Sequence, residues 1–61
     1  MREGLEKLLA AGKDNALLRF GLGNACMGEG DLEAAREHLY KAVEMNPRYT
    51  AAWKLLGRVL V

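Results

Sequence analysis

The sequence predicts an all-α fold of four short helices, and three observations carry that prediction. Leu and Ala supply 20 of the 61 residues, Ile, Ser and Gln are absent, and only Val43, Thr50, Val59 and Val61 are β-branched. Such a composition favours helix over sheet. Residues 32–45 place Leu32, Ala35, Leu39, Ala42 and Val43 on one helical face, with Glu33, Glu37, Lys41 and Glu44 opposite, the pattern of a half-buried helix. Gly12, Gly28, Gly30 and Pro47 fall between the apolar-periodic stretches and punctuate them.

The first helix is expected over residues 2–11, where Leu5, Leu8 and Leu9 recur at helical spacing and Gly12 stands as a stop. Asp14 or Asn15 can cap a second helix that reaches about Met27. The Gly28-Glu29-Gly30 turn follows, and Asp31 caps the third helix, over residues 32–45. Within it, Glu37 and Lys41 have the order and spacing of a helical ion pair, worth about 0.2–0.5 kcal/mol. Asn46-Pro47 ends that helix, since proline lacks an N–H and drives its predecessor from helical angles. A fourth helix is expected over residues 50–61. Connections this short make neighbouring helices antiparallel.

Composition also bounds function. A chain of 61 residues forms one domain and hides only about 60% of its unfolded surface, too little to enclose a large active-site cavity. Nine basic against eight acidic residues leave a net charge of +1, which argues against a nucleic-acid partner. The longest uncharged stretch, Phe20 to Gly28, has nine residues, whereas a membrane span needs about 20 apolar ones. No secretory leader is seen, because Glu6 and Lys7 interrupt any apolar core, so no membrane association and a cytoplasmic location are expected. Cys26 stands alone and cannot form an internal disulfide. With His38 it falls short of the four ligands of a structural zinc site, and no metal or cofactor is expected. The glycine-rich stretches at 21–23 and 28–30 follow no strand and lack the lysine of a phosphate loop.

A shift of 34 residues brings the two ends of the chain into register. Leu22-Gly23 falls on Leu56-Gly57, Ala25 on Val59 and Cys26 on Leu60. Leu5, Leu8 and Leu9 fall on Leu39, Ala42 and Val43, and the stop at Gly12 falls on Asn46. Residues 16–49 hold Leu22-Gly23, Ala35, Leu39, Ala42 and Pro47, and Trp53 stands just before a second Leu-Gly pair at Leu56-Gly57. On these residues the chain resembles the tetratricopeptide repeat family, whose unit is a helix A, a tight turn and a helix B. Gly30-Asp31-Leu32-Glu33-Ala34-Ala35 is similar to that family's usual start of helix B. Arg19 stands where the family usually has Trp, Cys26 where it has Tyr, and Lys13 where the first turn has Pro.

The resemblance implies a single domain spanning 1–61, a four-helix fragment of an α-α superhelix built of antiparallel helix-turn-helix repeats. Residues 1–12 resemble the B helix of a preceding repeat, 16–49 a full repeat, and 50–61 the A helix of a following one. It further implies a non-catalytic protein-interaction module, one piece of a longer repeat protein, whose A helices line a concave groove for a peptide or partner helix. Transferred residue by residue, the groove positions are Leu17, Phe20, Asn24 and Met27, then Ala51, Lys54, Arg58 and Val61.

Lys54 and Arg58 lie four apart on one face, where like charges cost a few tenths of a kcal/mol. Together with Asn24 they resemble a clamp for an acidic group or a C-terminal carboxylate; the bland alternative is a solvated face. Phe20 is either a hydrophobic anchor in the groove or a residue tucked against a neighbouring helix.

A second function class is structural. Leu5 and Leu9 on the first helix, and Trp53, Leu55, Leu56, Val59 and Leu60 on the last, form apolar ends that could join copies head to tail into a homo-oligomer. An enzyme finds little support: the chain has no serine, one cysteine and one histidine, and no nucleophile-base spacing between Cys26 and His38. Cys26 is expected in the core and His38 at the edge of an apolar face. Tyr40 is expected at a helix edge and Tyr49 in the turn between repeats.

Overall fold

A computed structural model describes residues 2–60. It consists of helices α1 (Arg2–Ala10), α2 (Ala16–Gly28), α3 (Leu32–Met45) and α4 (Thr50–Leu60). The groove position expected at Val61 lies outside the described residues.

Local chemistry sets each boundary. Gly12, at φ 85°, takes the left-handed conformation that lets Lys13 N–H reach back to the Leu8 carbonyl at 3.1 Å, closing α1. Of the two candidate caps for α2, Asn15 performs the role. Its backbone is extended and its Oδ1 accepts the Leu18 N–H at 2.8 Å. Asp14 instead accepts from Arg19. At the next turn Gly30, at φ 81°, precedes Asp31, whose Oδ1 accepts the Ala34 N–H at 3.2 Å and opens α3. Asn46 is extended before Pro47, and its Oδ1 accepts the Arg48 N–H at 3.2 Å, turning the chain toward α4.

The turns are too short to let packed neighbours run in the same direction, so the helices zigzag. They form a slab 31 × 25 × 14 Å in extent. The α2–α3 hairpin makes the most extensive contact, α4 packs on α3 and touches α2, and α1 packs on α2. Leu22 and Cys26 from α2 are fully buried with Ala35, Leu39 and Ala42 from α3 and Ala52 from α4. Gly23 lies buried beneath Leu39, where a side chain would collide.

No residue of α1 is fully buried. Leu5 lies half-buried over Gly21. At its start, the Arg2 guanidinium donates to Glu6, Glu29 and Asp31 at 3.0–3.1 Å, tying the helix to the α2–α3 turn. These carboxylates raise the Arg2 pKa further above its ordinary value.

Two expectations are corrected. Lys41 pairs with Glu44 at 3.6 Å rather than with Glu37, because the next turn offers an equally accessible carboxylate. Leu56, placed among the self-association residues, is only 2% exposed. It shares a helical face with Ala52 and packs on Leu39, Ala42 and Val43, so it belongs to the chain's own core.

Candidate interaction groove

Two pairs of residues at i, i+4 spacing face each other across the contact between α2 and α4. Phe20 and Asn24 on α2, and Lys54 and Arg58 on α4, line a shallow cavity of about 320 Å³ together with Ala51 and Leu55. Of the expected groove set, Phe20, Asn24, Lys54 and Arg58 therefore come together. Met27 does not line this cavity but packs half-buried against the core.

Leu55, expected at a self-association surface, is half-buried and lines the groove instead. Phe20, expected either as a groove anchor or tucked against a neighbouring helix, is half-buried. One side of its ring packs on Tyr49, with centroids 5.1 Å apart and planes tilted by 35°, and it also lines the cavity. Tyr49 thus holds Phe20 in place.

The electrostatics of the groove are one-sided. Asn24, Lys54 and Arg58 are exposed, and among the described residues neither cation is paired with a carboxylate. Five Asp and Glu residues are instead drawn to other cations or caps: Asp14 to Arg19, Glu6, Glu29 and Asp31 to Arg2, and Glu44 to Lys41. Chemically, the groove offers two cationic donors, one neutral amide that can donate or accept, and an aromatic surface. A larger cavity of about 460 Å³ on α3 is lined by Arg36, Glu37, Lys41 and Glu44 with Arg19 and His38; there the charges alternate in sign.

The residues marked for self-association are spread over both ends. Trp53 is 49% and Leu60 53% exposed, while Leu5, Leu9 and Val59 are half-buried. The Trp53 Nε1–H donates to the Pro47 carbonyl at 2.7 Å, so the ring is tethered to the α3–α4 turn. Leu17, expected in the groove, is instead exposed beside Leu5 and Leu8 at the other end of the slab.

Sequence reasoning missed the network around Arg19. Its guanidinium donates twice to Asp14, at 2.8 and 3.0 Å, and its Nη1 lies 3.0 Å from His38 Nδ1. The only sequence signal was an acid five residues before a base across a helix start, a spacing outside the usual helical pairs. The Arg19 hydrogen bonds hold the Asp14 carboxyl below its ordinary range, and Asp14 in turn raises the Arg19 pKa. Burial, and then the neighbouring Arg19 charge, lower the His38 pKa. Burial pushes the Cys26 thiol up. Among the described residues no cluster of His, Cys, Asp and Glu could hold a metal ion, and no helix is long and apolar enough to cross a membrane.

A model of the Tetratricopeptide repeat family matches residues 16–59. The chain is also 62% identical over 58 residues to the TPR repeat-containing protein PA0015 of Pseudomonas aeruginosa (strain PAO1), an alignment covering 95% of this chain and 55% of that protein. It therefore spans about half the length of this relative. No solved structure matches the chain.

Proposed function

This chain belongs to the tetratricopeptide repeat family, whose repeats are generally protein-interaction modules, and on that premise we propose that the groove between α2 and α4 receives an extended peptide bearing a carboxylate. Lys54 and Arg58 hold the carboxylate by charge-assisted hydrogen bonds, Asn24 bonds the peptide backbone, and Phe20 supports an apolar side chain. The module binds without catalysis, as a scaffold. One observation supports this reading above others: two cations without carboxylate partners among the described residues share a cavity with an amide and an aromatic ring.

The experiment is a fluorescence-anisotropy titration with short peptides that carry an apolar residue before a free or an amidated C-terminus. The free-acid peptides should bind more tightly, and Lys54→Ala with Arg58→Ala should weaken them at least tenfold, because hydrogen bonds to charged groups contribute about 1.5–3 kcal/mol each. Added salt should weaken binding as well. Equal affinity for acid and amide, or an unaffected double variant, would overturn the proposal.

A further inference from the structure

We draw no further inference here: the strongest candidate, the cation pair Lys54 and Arg58 on α4 facing Phe20 and Asn24 of α2 across a shallow cavity, belongs to the site already described.

Discussion

A Cβ built on Gly23 lies 2.5 Å from Cγ and 2.7 Å from Cδ2 of Leu39, so α2 and α3 close on each other because residue 23 carries no side chain. Gly23→Ala must displace Leu39 at its branch point, an overpacking cost of about 1–3 kcal/mol against a helix-propensity gain of about 1 kcal/mol. Thermal unfolding followed by circular dichroism should show a net loss of about 1 kcal/mol, or about 4–8 °C. Gly57→Ala meets open space and should instead stabilise by about 0.5–1 kcal/mol. A Gly23→Ala variant that melts as high as Gly57→Ala would contradict the account.

The start of α2 rests on one side-chain acceptor. Asn15→Ala removes the Oδ1 that receives the Leu18 N–H at 2.8 Å and should destabilise by about 1 kcal/mol, while Asn15→Asp retains the cap. In urea unfolding the midpoint should fall for the alanine variant with an unchanged slope. An unchanged midpoint would mean that Asp14 takes over the cap.

Helix boundaries were legible in the sequence because they depend on a few neighbouring residues. Asn15, Asp31, Gly12 and Asn46-Pro47 each act on backbone groups within one turn. The 34-residue register pairs Phe20 with Lys54 and Asn24 with Arg58, but their assignment to a groove came from the family resemblance and not from spacing. Burial on α4 was harder to read. Leu55 and Leu56 are adjacent and equally apolar, and only the position of α3 decides that Leu56 enters the core while Leu55 turns to the groove. The Arg19 network was illegible, because bringing Arg19 to His38 requires knowing how α2 lies against α3.

Burial gives Cys26 a kinetic signature. Its side chain has no exposed surface and its thiol pKa is raised, mainly by that burial, so the reactive thiolate is scarce and shielded. Alkylation by iodoacetamide should be slow in the native chain and should rise with urea in step with unfolding. Rapid modification under native conditions would show that α2 opens independently of the core.

The contact between Arg19 and His38 makes stability depend on pH in a defined window. A guanidinium only donates, so His38 Nδ1, 3.0 Å from Arg19 Nη1, accepts, and the neutral ring carries its proton on Nε2. Burial and then Arg19 lower the His38 pKa below that of an ordinary histidine. The unfolded chain therefore takes up this proton at higher pH than the folded one, and stability rises with pH between the two values. The contribution is complete above the unfolded pKa and is lost as pH falls through the folded pKa. Asp14 and Asp31, both lowered, weaken the fold only further into acid, below about pH 4, so the windows separate. Urea midpoints measured from about pH 8 to about pH 5 should decline for the parent chain and stay nearly level for His38→Asn. A decline that persists in the asparagine variant would assign the window to another group, and a midpoint that rises on acidification would reverse the sign derived from the Arg19 contact.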